Sequence, residues 1–303
     1  MDTRQIEYMI KIADEGSVTR AAEALFITQS ALTQQLQKIE QDLGAPLFIR
    51  NKSAWRPTPE GAIYLKAARE MLRLKREAYT AIADLSDRRN GKLILGMTPD
   101  RGLEMFSAVY PQFHALYPDI TVEPNELSVR KQQKAIHRGE LDLGFLTLAD
   151  SQKTPDAYLD LFEEEIFPAV PASLADALGL PEPTAEDPYP VIALEVLAAQ
   201  QFVITYKEST IRKIIDAIFE ETGLDPKILF ETSSNRTALS MISMDLACGL
   251  VPYHYVKKGV RGVRFFRLAS HPTWKVCVSY PKGAYLSKAA RTFIELAQNY
   301  WKE

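Results

Sequence analysis

The chain has 303 residues, too many for one ordinary core, which predicts two or three domains. Hydrophobic residues at 46% and charged residues at 25% rule out global disorder, and no apolar run reaches the roughly 18 residues that would span a bilayer. The net charge of −3 excludes bulk attraction to a polyanion, because residues 1–90 carry 14 basic and 12 acidic side chains and the rest 22 and 27.

The N-terminal stretch MDTRQIEYMIKIADEG is charged throughout and lacks an apolar core with a cleavage site, so a cytoplasmic protein is expected. Its apolar positions Ile6, Met9, Ile10 and Ala13 recur at helical spacing, and Gly16 ends the helix. Ser17 caps a second helix from Val18 to Leu25. After a break at Phe26–Thr28, a third helix runs from Gln29 to Leu43 with an apolar stripe of Leu32, Leu36, Ile39 and Leu43. Gly44 and Pro46 stop it. Thr58-Pro59-Glu60 opens a long helix reaching about Asp87, on the order of 40 Å. It carries two stripes, Leu65, Ala68, Leu72, Tyr79 and Ile82, and Met71, Leu74, Ala78, Ala81 and Leu85. One stripe suits the preceding helices and the other a second copy of the helix.

From Gly91 strand and helix alternate. Strands are expected at Leu93–Met97, Ile120–Leu127, Leu141–Leu146, Phe202–Thr205, Ile228–Thr232, Val263–Leu268 and Trp274–Ser279. Helices are expected at Leu103–Tyr117, Arg130–Arg138, Thr210–Thr222, Asn235–Leu246 and Ser287–Trp301, with a Pro-rich surface loop at Pro181–Pro190. Such alternation implies an α/β fold with crossover connections and parallel strands.

Two helices joined by three residues form a helix-turn-helix arrangement. The outward face of the second helix is Gln29, Ser30, Thr33, Gln34 and Gln37, with Lys38 a turn later. Amides can pair with adenine edges and hydroxyls with bases or phosphates. A following basic hairpin with Arg50, Lys52, Trp55 and Arg56 suits the DNA backbone. A helical protein-interaction module with a merely solvated polar face is the competing reading.

The residues Ser17-Val18-Thr19-Arg20-Ala21-Ala22-Glu23-Ala24-Leu25, Thr28-Gln29-Ser30-Ala31-Leu32, Leu43-Gly44-Ala45-Pro46-Leu47-Phe48-Ile49-Arg50 and Thr58-Pro59-Glu60-Gly61 resemble LysR-type transcriptional regulators. Pro118-Asp119-Ile120 and Gly139-Glu140-Leu141-Asp142-Leu143-Gly144 extend the likeness. The resemblance implies a winged helix-turn-helix (residues 1–58), a linker helix for dimerisation (59–90) and a two-lobed, periplasmic-binding-protein-like effector domain (91–303). Lobe I would take about 91–167 and 268–303, and lobe II about 168–267. It implies Gln29, Ser30, Thr33 and Gln34 as base readers on double-stranded DNA, and Arg50 and Arg56 in the wing. Many members carry Arg where this chain has Gln34, so the operator sequence does not transfer. A tetramer built from two dimers is implied by the resemblance; the residues themselves support the dimer.

Ligands of open α/β sheets bind beyond the C-terminal strand ends, where helix N-termini point. Those ends hold Thr98, Pro99, Asp100, Arg101, Ser128, Thr147, Thr205, Ser209, Thr210, Ser233 and Ser234. The hydroxyls suit a small carboxylate with Arg101 as its charge, although each Ser or Thr can equally be a helix cap. Two departures pull the other way. Asp100 sets a negative charge beside that site, and Asp245 and Ala247 stand where many members have a Gly-x-Gly. Either favours a neutral or cationic effector.

Two further readings compete. A thiol-based redox sensor would use Cys248 and Cys277, but both sit in apolar, strand-like settings. An enzyme or a small-molecule carrier without a DNA role lacks support: the chain has no Gly-x-Ser-x-Gly, phosphate-loop, Gly-x-Gly-x-x-Gly or His-Glu-x-x-His motif. Its four histidines are scattered, so no metal and no cofactor is expected.

Overall fold

The computed structural model describes residues 2–50, 54–86 and 91–302. These fall into two compact units, one built from the chain up to Gly91 with short segments at 137–140 and 284–287, the other from the remainder.

In the first unit, α1 (Thr3–Glu15) starts on a capping box of Asp2 and Gln5 and ends at Gly16 in the left-handed region, φ 57°. α2 (Val18–Ala24) and α3 (Gln29–Leu43) start on the side chains of Ser17 and Thr28, each accepting a hydrogen bond from an N–H of the first turn. A short antiparallel hairpin follows, β1 (Phe48–Arg50) and β2 (Trp55–Pro57), with Ile49 opposite Arg56. α4 (Pro59–Leu85) is capped by Thr58, whose hydroxyl donates to the Pro46 carbonyl at 2.7 Å. Gly61 is required in its first turn, because a Cβ there would lie 1.9 Å from the Leu47 carbonyl oxygen. The core gathers Ile6, Met9 and Ile12 with Leu32, Leu36, Ile39, Leu65 and Ala68. Leu43 stands outside it at 51% exposure, so the apolar stripe of α3 ends one turn earlier than its spacing suggests.

The second unit comprises β3 (Gly91–Met97), α5 (Arg101–Leu116), β4 (Ile120–Glu126), α6 (Val129–His137), β5 (Leu143–Leu148), β6 (Ala157–Pro171) and α7 (Ala172–Ala177). β7 (Gln201–Thr205), α8 (Thr210–Glu221), β8 (Lys227–Thr232), α9 (Asn235–Ser243) and β9 (Gly249–Pro252) follow. Last come α10 (Tyr253–Val256), β10 (Val263–Phe265), β11 (Thr273–Tyr280) and α11 (Lys288–Lys302). β3 runs parallel to β5, and β7 parallel to β8.

The expectation of parallel strands throughout fails at the centre. β11 lies antiparallel to both β5 and β6. The unforeseen β6 carries the architecture: residues 157–165 pair with β11, while residues 166–171 pair with β9 and β10. One strand thus passes from one lobe into the other. β6 escapes the alternation rule because its run of acids, Glu163 to Glu165, interrupts any apolar signature. α9 also stops at Ser243 rather than Leu246. Asp245 then takes a left-handed φ of 60°, the conformation for which a glycine is best suited, and accepts a hydrogen bond from Ser173.

Candidate DNA-reading face and effector cleft

Gln29, Ser30, Gln34 and Lys38 are exposed on α3, and Thr33 is half-buried. Two of them are committed within the unit. Thr33 turns its hydroxyl back to the Gln29 carbonyl at 2.8 Å, and the Gln29 amide oxygen accepts from Thr19 at 3.3 Å. Gln34 makes no hydrogen bond to another described side chain, which leaves both the donor and the acceptor end of its exposed amide unpaired among them. Arg56 is exposed on β2, whereas Lys52 and the side chain of Arg50 lie outside what the structure describes. Phe26, in the turn between α2 and α3, is almost wholly exposed and holds a positive φ of 55°.

In the second unit a cavity of about 240 Å³ collects residues from widely separated segments. Thr98, Asp100, Arg101, Ser128, Thr147, Thr205, Ser209 and Thr210 all line it, with Pro99 and Ser233 beside them. The rule of strand ends and helix starts therefore selects residues that do converge. Ser234 does not line it; it caps α9 by accepting from the Thr237 N–H and donates to the Asp100 carboxylate at 3.1 Å. The strand-end rule missed Tyr255 and Trp274, which reach the cavity from α10 and β11, and Tyr206 and Glu208, which lie in the turn after β7.

Arg101 does not stand free as a counter-charge. It is 5% exposed, and its Nη1 donates to Glu164 Oε2 at 2.7 Å. The guanidinium carbon lies 4.6 Å from the Trp301 ring centroid. Glu164, 2% exposed, also accepts from Trp274 Nε1 at 2.8 Å and from the His254 backbone N–H. Cross-strand register puts Trp274 opposite Glu164, which makes the indole bond a consequence of sheet pairing. Glu104 extends the cluster to Arg236 at 3.1 Å, to His254 Nε2 at 3.2 Å and to Lys258. Burial and the neighbouring Arg101 push the His254 imidazole down to about 4, so it is neutral at pH 7.

The two thiols, Cys248 and Cys277, are free and fully buried, in different apolar clusters. Burial pushes both up to about 12, which keeps them protonated at neutral pH. Among the described residues no group of histidine, cysteine and carboxylate side chains is placed to hold a metal. No helix among them is long and apolar enough to cross a membrane.

An exposed amide-bearing helix in a helix-turn-helix unit, joined to a two-lobed α/β unit with a cleft, defines a ligand-responsive DNA-binding regulator as the class. The family models agree: residues 3–62 match the bacterial regulatory helix-turn-helix protein, lysR family, and residues 86–302 match the LysR substrate binding domain. The chain belongs to the LysR family of transcriptional regulators. It is 27% identical to the uncharacterized HTH-type transcriptional regulator YcgK of Bacillus subtilis, over all of this chain and 96% of that one. It is 30% identical to a probable RuBisCO transcriptional regulator of Guillardia theta over 89% of each. Among solved structures, full-length OxyR from Pseudomonas aeruginosa superposes with a TM-score of 0.72 at 21% identity, covering 98% of both chains. CbnR in complex with its target DNA gives 0.60 at 20% identity and 99% coverage of both.

Proposed function

We propose that the protein is a cytoplasmic, non-enzymatic regulator that reads double-stranded DNA through α3 and takes a small effector in the cavity between its lobes. Gln29, Ser30, Thr33 and Gln34 would read bases, while Lys38, Arg50 and Arg56 hold phosphates. Residues 1–58 would form the head, 59–90 the dimerising linker and 91–303 the effector domain, with the lobes divided near residues 167 and 268. The observation that carries the reading is the convergence of eight anticipated residues, drawn from both lobes, on one cavity.

The dimer reading rests on α4. Leu65 and Ala68 are buried in the first unit's core, but Met71, Leu74, Tyr79, Ile82 and Leu85 are exposed, Leu85 to 88%. A row of large apolar side chains left open along the last four turns of a helix suits a second copy of that helix, giving two recognition helices for two half-sites. An effector that prefers one lobe arrangement shifts the regulator by its differential affinity for the two states, and by no more.

The test is operator selection followed by quantitative binding. Gln34→Ala is expected to lose about 1–3 kcal/mol of discrimination at one base pair with helix content unchanged. Normal selectivity would remove α3 as the reading face. Tyr79→Ser/Ile82→Ser is expected to give monomers in sedimentation and to weaken operator binding; an intact dimer would refute the α4 interface.

A further inference from the structure

We propose that the effector is a zwitterion of the α-amino acid type, its carboxylate seated at the start of α8 beside Thr205 and its ammonium held by Asp100 and Glu208. This rests on the cleft reading above and adds the ligand's charge pattern.

The anion half follows from unmet hydrogen-bonding capacity. α8, 12 residues long, begins at the cavity, and the side chain of its N-cap residue Ser209 does not cap it. Uncapped first-turn N–H groups together with the helix dipole favour a carboxylate. The independent observation is Thr205. It is 4% exposed and lines the cavity, yet its hydroxyl has no partner among the described residues. A buried hydroxyl without a partner is costly, and a ligand oxygen would meet its need. Arg212 does not fill this role, since its guanidinium is directed to the Thr205 carbonyl at 2.8 Å and to Glu231 and Asp216.

The cation half follows from the charges of the wall. The ionisable side chains lining the cavity include Asp100, Glu208 and Arg101; the charge of the last is paired with Glu164 through Nη1, while its buried Nε and Nη2 have no partner among the described residues. Among the described residues of the lining, a simple carboxylate would meet two acids against one arginine whose charge Glu164 already balances. Asp100 is held toward the site by a left-handed backbone, φ 59° and ψ −86°, and by the Ser234 hydroxyl. Such a conformation is strained for a non-glycine residue and fits a positioned functional group. A ligand carrying both charges satisfies both halves, and a cavity of about 240 Å³ suits a small metabolite, below the roughly 300–1,000 Å³ of drug-sized pockets.

The experiment is titration calorimetry on the full chain with the twenty common α-amino acids, and with the des-amino acid and decarboxylated amine matching each hit. At least one amino acid should bind, and removal of either charged group should weaken it at least tenfold. Asp100→Asn and Glu208→Gln should each weaken the amino acid while sparing the des-amino acid, and Thr205→Val should weaken both. Equal binding of the des-amino acid, or binding of the amine alone, overturns the zwitterion and leaves the cleft reading in place. A hit indifferent to all three variants overturns the cleft reading itself. No binding by any amino acid overturns the proposal, and a panel of neutral and anionic metabolites then tests the cleft reading on its own.

Discussion

The two units bury very different things. Among the described residues of the first, Thr58 and Tyr64 are the buried side chains that carry a polar group, and packing of aliphatic helix faces does the rest. The second buries Arg101, Glu164, Arg212 and His254 as well as several hydroxyls. A core of aliphatic contacts is sensitive to volume and indifferent to charge. A junction built on paired charges answers to anything that alters the pairing. The contrast suits a rigid reading head and an effector unit whose arrangement can be biased.

The largest test of that contrast lies at Glu164. Three donors, from Arg101, Trp274 and the His254 backbone, converge on its two oxygens. Glu164→Gln replaces one acceptor oxygen by a donor and leaves the guanidinium buried without its counter-charge. The expected loss is about 3–5 kcal/mol, confined to the second unit's transition in calorimetry. The double variant Arg101→Met/Glu164→Leu removes both charges and should recover most of it. If the single variant loses under 1 kcal/mol, the buried pair does not hold the junction.

Gly61→Ala probes the opposite unit by volume alone. The added methyl would meet the Leu47 backbone carbonyl, an atom that cannot rotate aside. About 3 kcal/mol is expected, the upper end of overpacking costs, with loss of operator binding and an unchanged second transition. Retained operator affinity would show that α4 shifts against the hairpin without cost.

These two sites also mark what was legible in the chain. Helices of the first unit follow from caps and spacing because each is defined within about fifteen residues: Ser17, Thr28 and Thr58 are caps in the structure as their positions imply. Strand ends in the second unit predicted the cavity's hydroxyls for the same local reason. What stayed hidden was pairing across distance. β6 has a run of acids in its middle, and only the partner strand β11 and the guanidinium of Arg101, 63 positions away, make Glu164 a buried residue. Arg101 accordingly reads as a free counter-charge, and nothing local shows that Glu164 pairs with it. Tyr255 and Trp274 reach the cavity through tertiary packing and carry no local signal of it.

The smallest expected effect sharpens the same contrast with protons. His254 is held down to about 4 by burial and by Arg101, against 6.5 for an ordinary imidazole. Between those values the unfolded chain binds a proton that the native state refuses, so acid favours unfolding there and stability rises with pH. The loss between pH 7.5 and 5 should be about 2 kcal/mol for this group, complete near pH 4. Glu104 is partly buried, which raises it, but its bonds to Lys258 and His254 outweigh that and leave it lowered. Its contribution is therefore present above the usual carboxylate range and is lost at lower pH, below most of the histidine window. Urea titrations of the second unit's transition at pH 7.5, 6, 5 and 4 separate the two groups. His254→Gln should flatten the upper part of the profile and leave the lower part standing. In the first unit the buried Tyr64 is raised by burial and titrates above this range. Burial likewise raises Asp14 and Glu140, which favours the native state as pH falls, so this unit should lose little between pH 7.5 and 5. Equal slopes in both transitions would mean that the acid sensitivity is a property of the whole chain's charge and not of the junction around Glu164.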